Sequence, residues 1–199
     1  MTIFTIDGCI GCGKSTLLEY LHKKYDIAIE VEPIEKWSPF LDKMYKNGLG
    51  AFEFQVRVWL DRCWIDNKRE NRMQVLMERS PFFQKHVFIN ISRMNDRISH
   101  TEAEILNEMY DKSAKLWDPE VYIYLRSLPE KCAERIRKRN RENEQDIMFS
   151  YLKQLHELHE ATYISAKANA MPIICVDIEG KTVEQIGEEV WNAIQTSKK

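Results

Sequence analysis

Nine residues near the start of the chain, Gly8-Cys9-Ile10-Gly11-Cys12-Gly13-Lys14-Ser15-Thr16, constrain its fold more than any other stretch. They follow the apolar run Thr2-Ile3-Phe4-Thr5-Ile6 and lead into a segment where Leu17, Leu18 and Leu21 recur at helical spacing, so the order is strand, glycine loop, helix. A Gly-x-x-x-x-Gly-Lys-Ser loop in that setting cradles polyphosphate. Gly8, Gly11 and Gly13 let backbone N–H groups converge, and the helix N-terminus around Ser15 and Thr16 adds partial positive charge. Lys14 reaches the outer phosphates, while the Ser15 hydroxyl is available to Mg²⁺. A glycine-rich turn that happens to hold Lys-Ser is the bland alternative, and the flanking strand and helix argue against it. Cys9 and Cys12 also form a C-x-x-C pair. No second pair or sequence-adjacent histidine accompanies them, so a metal or redox reading of the pair is the weaker one.

The rest of the chain keeps alternating strand and helix. Ile27-Ala28-Ile29-Glu30-Val31 is β-prone and delivers Glu32-Pro33 at its carboxyl end, where ligands bind in a parallel sheet. Glu32 reads either as a chemical group or as a surface glutamate before a turn. Trp37 follows, and the helix holding Met44 and Tyr45 stops at Asn47-Gly48. Residues 51–66 read as a long helix with two occupied faces: Phe52, Val56, Trp59 and Cys63 on one, Gln55, Val58 and Arg62 on the other. Met73-Gln74-Val75-Leu76-Met77 is a strand ending in Glu78-Arg79-Ser80-Pro81. Glu78 is in the position of an acidic Mg²⁺ partner, and Arg79 can grip a carboxylate or phosphate with two bonds, although a structural ion pair would look the same.

Residues 82–91 and 101–117 look helical, Val121-Tyr122-Ile123-Tyr124-Leu125 is a fourth strand, and residues 129–138 form a helix opened by proline. That helix runs into the cationic stretch Arg135-Ile136-Arg137-Lys138-Arg139-Asn140-Arg141, followed by Glu142-Asn143-Glu144. This is either a solvated face or a lid, about residues 137–147, that covers phosphates. His156 and His159 share a helix face without the H-E-x-x-H order and read as surface or packing residues. Ile173-Ile174-Cys175-Val176-Asp177 makes a fifth strand, and residues 182–194 a closing amphipathic helix. No repeat or linker divides the chain. Residues 1–199 therefore read as one α/β domain, a five-stranded parallel sheet with helices on both faces.

Composition narrows the function by exclusion. With 29 basic and 31 acidic residues, no overall charge points to nucleic acid or a membrane, so any anion site is local. Five scattered cysteines look like reduced thiols. No apolar run reaches the roughly 18 residues of a membrane helix, and the glycine loop arrives too early for a signal peptide. A cytoplasmic location is the expectation.

Several motifs in order resemble the deoxyribonucleoside kinase family over nearly the whole chain. They are the phosphate loop, Glu32-Pro33-Ile34-Glu35-Lys36-Trp37, Phe54-Gln55, Glu78-Arg79-Ser80, Tyr124-Leu125-Arg126-Ser127-Leu128-Pro129-Glu130, the arginine-rich stretch, and Tyr151-Leu152-Lys153-Gln154-Leu155-His156-Glu157-Leu158-His159-Glu160. The resemblance implies a P-loop kinase fold and transfer of the ATP γ-phosphoryl to a deoxynucleoside 5′-hydroxyl, in nucleotide salvage and in a homodimer. It implies Glu32 as general base, Ser15 and Glu78 as Mg²⁺ ligands, and Lys14 on the β- and γ-phosphates. Arg79 would orient the acceptor, and Arg135, Arg139 and Arg141 would grip phosphates from the lid. Tyr45 and Glu144 would bind the sugar 3′-hydroxyl, Gln55 would read the base edge, and Phe88 would stack on the base. Ile10, Trp37 and Val58 would complete the pocket.

The chain also departs from the family pattern. Cys9 and Cys12 replace the usual polar loop residues and would make the loop oxidisable. Pro81 is similar to the corresponding proline of herpesvirus thymidine kinases. Arg62 is similar to deoxycytidine-type members, but the aspartate that such members pair with it is here Gln84, and Val58 is similar to thymidine-accepting ones. A pyrimidine is expected, with thymidine and deoxycytidine both open. The rival readings are a thymidylate-type monophosphate kinase, whose already ionised acceptor needs no base such as Glu32, and a non-catalytic binding protein of the same fold.

Overall fold

The computed structural model describes residues 2–63, 74–113 and 121–197. Strands β1 (Thr2–Gly8), β2 (Ala28–Glu30), β3 (Gln74–Glu78), β4 (Val121–Arg126) and β5 (Ile173–Asp177) form one sheet in the order β2-β3-β1-β4-β5. Every neighbouring pair is parallel. Burial is unbroken from Ile3 to Gly8 and from Val121 to Leu125. Consecutive residues point to opposite faces, so unbroken burial means that both faces of the central strands are covered. The five-stranded parallel sheet expected from sequence is the one observed.

The helices are α1 (Lys14–Tyr25), α2 (Ile34–Asn47), α3 (Ala51–Cys63), α4 (Pro81–Phe83), α5 (Asn90–Met94), α6 (His100–Ser113), α7 (Pro129–Arg139), α8 (Phe149–Ala168) and α9 (Val183–Thr196). A π-helical segment, Gln84–Ile89, joins α4 to α5, and a 3₁₀ turn, Glu142–Glu144, follows α7. None of the described helices is long and apolar enough to cross a membrane. Local signals end the elements where the sequence places them. Gly48, at φ +66°, caps α2 with its N–H on the Met44 carbonyl, and Thr182 and Gln185 close a capping box on α9.

One apolar core joins Phe4, Ile6, Leu76 and Ile123 of the sheet to Leu17, Leu18 and Leu21 of α1, Leu152 and Leu155 of α8, and Val190 and Ile194 of α9. A second cluster, including Trp37, Leu41, Met44, Phe54, Val58 and Leu106, ties α2, α3 and α6 together. On α3 the deeply buried face holds Ala51, Phe54, Gln55, Val58, Arg62 and Cys63, whereas Phe52, Val56 and Trp59 are only partly covered. The expected ends of three elements, at 64–66, 73 and 114–117, lie outside the described residues. Two of the family-like motifs have a plain structural job. Arg126 forks onto Glu160, with Nε–Oε1 at 2.8 Å and Nη2–Oε2 at 2.7 Å, and the Tyr124 hydroxyl donates to the same carboxylate at 2.7 Å. This pins β4 to α8.

Candidate active site

The loop after β1 opens a cavity at the carboxyl edge of the sheet. Gly11 has φ +82°, and a Cβ there would lie 2.7 Å from the Cys132 carbonyl and 2.9 Å from Ile136. At Gly8 a Cβ would lie 2.7 Å from the Leu125 carbonyl. Both positions need glycine for backbone conformation and for space. Lys14 Nζ donates to the carbonyls of Gly8 (3.2 Å) and Cys9 (3.1 Å), which holds the ammonium inside the loop. The Ser15 hydroxyl donates to Glu78 Oε1 at 2.9 Å. A hydroxyl beside a carboxylate at a helix N-terminus fits Mg²⁺, a hard cation that takes few protein oxygens when phosphates and water supply the rest. Among the described residues no group of three or more His, Cys, Asp or Glu side chains could hold a metal by itself.

On the other side of the cavity, the Glu32 backbone N–H donates to Glu78 Oε2 at 3.1 Å, so the ends of β2 and β3 are linked through one carboxylate. Glu32 Oε1 accepts from Arg79 Nε at 2.5 Å, and both side chains are about nine-tenths buried. Burial alone would raise the Glu32 carboxyl, but the positive charges of Arg79, Lys14 and Arg62 outweigh it and hold the group below the ordinary carboxylate range. Arg79 is a non-glycine residue at φ +62°. Its N–H is tied to the Ile6 carbonyl at 2.8 Å, and the next N–H, of Ser80, donates to Asp7 Oδ1 at 2.7 Å. Its guanidinium lies 4.0 Å over the Phe88 ring, and Nη1 is buried without a hydrogen-bond partner. Burial pushes the Asp7 carboxyl up to about 6, against the hydrogen bond from Ser80 and the charge of Arg79.

Ile10, Trp37, Tyr45, Val58 and Phe88 form much of the apolar wall. Trp37 Nε1 donates to Asp61 Oδ2 at 2.8 Å, and Arg57 and Lys36 bind the same carboxylate, fixing the indole. Gln84 Nε2 donates to Gln55 Oε1 at 2.7 Å, forming a buried amide pair at the cavity wall. The π-helical segment brings Gln84 and Phe88 to the cavity together. At and just past the end of α7, Arg139 and Arg141 line the cavity and both turn onto Glu144, with Arg139 Nη2 at 2.6 Å and Arg141 Nη1 at 3.6 Å.

Most of the residues singled out in sequence therefore meet in one cavity: Ile10, Gly11, Gly13, Lys14, Ser15, Thr16, Glu32, Trp37, Tyr45, Gln55, Val58, Glu78, Arg79, Gln84, Phe88, Arg139, Arg141 and Glu144. Two expectations need correction. Arg62 does not line the cavity; it donates to the backbone carbonyls of Glu78 and, at 3.5 Å, Val31, because strand-end carbonyls buried beneath the site need donors. Gln84, at the position where deoxycytidine-type members carry the aspartate, donates instead to Gln55. Arg135 also stays outside the cavity. One turn back along α7 from Arg139, it donates to Ser127 Oγ at 3.1 Å, at the end of β4. Gly8 shapes the loop without lining the cavity. Sequence reading missed Asp7 and Asp61, which accept from the Ser80 backbone N–H beside Arg79 and from the Trp37 indole. It also missed Met44, Ser92 and Tyr151 in the wall. Their signal is tertiary, since nothing in local spacing marks them.

Comparison with known proteins gives the family. The deoxynucleoside kinase family model matches residues 4–197. Protein 143R of invertebrate iridescent virus 6 is 33% identical over 197 residues, covering 98% of this chain and 97% of the viral protein. Human mitochondrial thymidine kinase 2 is 28% identical, over 89% of this chain and 71% of that protein. The solved structure of deoxyadenosine kinase from M. mycoides with dCTP bound superposes with a TM-score of 0.83 at 24% identity, over 98% of this chain and 100% of that one, a likeness of fold. With a family match across nearly its whole length, the chain belongs to the deoxynucleoside kinase family.

Proposed function

We propose that the protein transfers the γ-phosphoryl group of Mg²⁺·ATP to the 5′-hydroxyl of a pyrimidine deoxynucleoside. The observation that carries this reading is the buried Glu32–Arg79 pair, which lines the same cavity as Lys14 and Ser15. Glu32 is held ionised at neutral pH and takes the hydroxyl proton. The free Arg79 Nη1 accommodates the acceptor oxygen. Ser15 and Glu78 would hold Mg²⁺, which supplies charge neutralisation on the phosphates. Lys14 exchanges its loop carbonyls for phosphate oxygens. Arg139 and Arg141 exchange Glu144 for the phosphates, freeing Glu144 to join Tyr45 at the sugar 3′-hydroxyl. Residues 1–199 act as one unit whose lid, about 137–147, closes over the donor. Catalysis is positioning plus charge stabilisation, with the proton as the only covalent business of the protein.

The pyrimidine preference rests on crowding by Trp37 and Phe88 and on the Gln55–Gln84 pair, which together offer amide donors and acceptors to a base edge. With Arg62 turned away, its likeness to deoxycytidine-type members loses weight, and thymidine and deoxycytidine are both proposed substrates. A Mg·ATP assay on the four deoxynucleosides and their monophosphates tests this. Phosphorylation of the nucleosides, thymidine and deoxycytidine foremost, is the expected result. Phosphorylation of monophosphates alone would favour the thymidylate-type reading, and no transfer at all a binding protein.

A further inference from the structure

One ion-pair cluster inside the cavity joins groups that the proposed reaction uses for different ligands. Arg139, at the end of α7, grips Glu144 through both carboxylate oxygens: Nε to Oε2 at 3.1 Å, Nη2 to Oε1 at 2.7 Å and Nη2 to Oε2 at 2.6 Å. Arg141 adds a looser contact, Nη1 to Oε1 at 3.6 Å. All three side chains line the cavity that also holds Lys14, Ser15 and Tyr45. Their exposures are unequal: the Glu144 side chain is 9% exposed, against 32% for Arg139 and 38% for Arg141. Backbone bonds fix the turn that carries the carboxylate, since the Glu144 N–H donates to the Arg141 carbonyl at 3.1 Å and the Ile147 N–H to the Glu144 carbonyl at 3.2 Å. That turn packs on α2, the helix of Tyr45. The carboxylate is therefore the fixed partner, and the guanidinium groups, on long side chains that reach in from a more exposed position, are the movable ones. Arg141 and Glu144 also line a second cavity of about 560 Å³ beside α7 and the start of α8, which gives the exchange room.

We infer that Glu144 is an internal competitor of the donor's phosphates, so that donor and acceptor bind with positive coupling, an inference that rests on the kinase reading and deepens it. A carboxylate buried to this degree is costly to leave without a partner. A triphosphate bound alone draws the guanidinium groups onto its own oxygens and leaves Glu144 buried and unpaired. A deoxynucleoside bound alone offers one hydroxyl to a carboxylate whose two oxygens are already held. When both are bound they share a single cost: the phosphates neutralise the arginines while the 3′-hydroxyl donates to Glu144. Such coupling is reciprocal, and each ligand tightens the other by the same factor.

The test is calorimetric titration of the full chain with Mg²⁺ and the β,γ-imido analogue of ATP, and with thymidine and deoxycytidine, each ligand alone and in the presence of the other. Each nucleoside should bind about five- to fiftyfold tighter with the analogue present, and the analogue should gain the same factor from the nucleoside. The 2′,3′-dideoxy counterparts, which lack the hydroxyl that Glu144 accepts, should gain less than about twofold. Glu144→Gln should bind the analogue alone about three- to tenfold tighter than the wild type, because its arginines are released, and should show no coupling. Glu144→Ala should repeat that gain, whereas a merely structural role for the pair would weaken the analogue in both variants. Equal nucleoside affinity with and without the analogue, coupling that persists in the dideoxy counterparts, or weaker analogue binding by both Glu144 variants would each overturn the inference. Analogue binding by those variants needs no acceptor, so it decides the competition even where thymidine and deoxycytidine fail to bind, an outcome that sinks the pyrimidine assignment alone.

Discussion

Arg79 concentrates the physics of the site in one residue. Its left-handed backbone conformation costs on the order of 1–3 kcal/mol, and bonds from its own N–H to Ile6 and from Ser80 to Asp7 hold it there. In return the guanidinium stacks on Phe88 and grips Glu32 while one nitrogen stays free. Glu32→Gln should cut turnover by about 10²–10⁴-fold while nucleoside binding persists, read from steady-state kinetics beside calorimetric titration. It should also destabilise the fold at neutral pH by about 3–5 kcal/mol, because Arg79 is left as a buried, unneutralised charge. The carboxyl is depressed in the folded state, so its stabilisation is complete above the unfolded value near 4.5 and is lost as pH falls through the lower folded value. The stability gap between wild type and Glu32→Gln, measured by urea unfolding, should therefore narrow as pH drops below about 4.5.

The elements meet at joints whose tolerance differs. The π-helical segment between α4 and α5 sets Gln84 and Phe88, four residues apart, on the wall of the cavity. The α1–α9 joint is tighter. A Cβ at Gly187 would run into the ring of Tyr20, which puts a glycine inside a helix for contact reasons alone. Replacing helical glycine by alanine ordinarily gains up to about 1 kcal/mol, whereas overpacking costs about 1–3 kcal/mol. Gly187→Ala should therefore lower stability by about 1–2 kcal/mol, or roughly 2–8 °C in Tm for a chain of this size. Catalysis should be unaffected, because the joint does not reach the cavity. Differential scanning calorimetry with a parallel activity assay checks both halves of that statement.

At the scale of the whole molecule, the phosphate loop and the Glu32–Arg79 pair are brought to one cavity by the order β2-β3-β1-β4-β5. β1 ends in the phosphate loop and its neighbour β3 ends in Glu78-Arg79. β2, at the sheet edge beside β3, supplies Glu32 just past its end. A nucleotide that binds only the folded chain stabilises it by about 2.7 kcal/mol at a hundredfold excess over Kd, about 5–11 °C in Tm for this size. Mg·ATP should raise Tm by that amount in thermal unfolding. Lys14→Ala should lose most of the shift, since the ammonium that the loop holds ready for phosphate is gone.

The sequence by itself determined the strand–loop–helix cradle, the parallel sheet, and the identity of most groups in the cavity. Gly11, Lys14, Ser15, Glu32 and Glu78-Arg79 sit at strand ends, where chain direction alone decides which edge they reach. The helix stop at Gly48 was legible for a similar reason, because an αL cap is a property of one residue. Only the tertiary structure decided contacts between segments far apart in the chain. It turned Arg62 under the β3 end and Arg135 toward Ser127, and it placed Asp7 behind Arg79 and Asp61 behind Trp37. Spacing along a helix fixes which face a side chain is on, but the partner it meets there depends on how buried carbonyls and charges are satisfied once the elements pack.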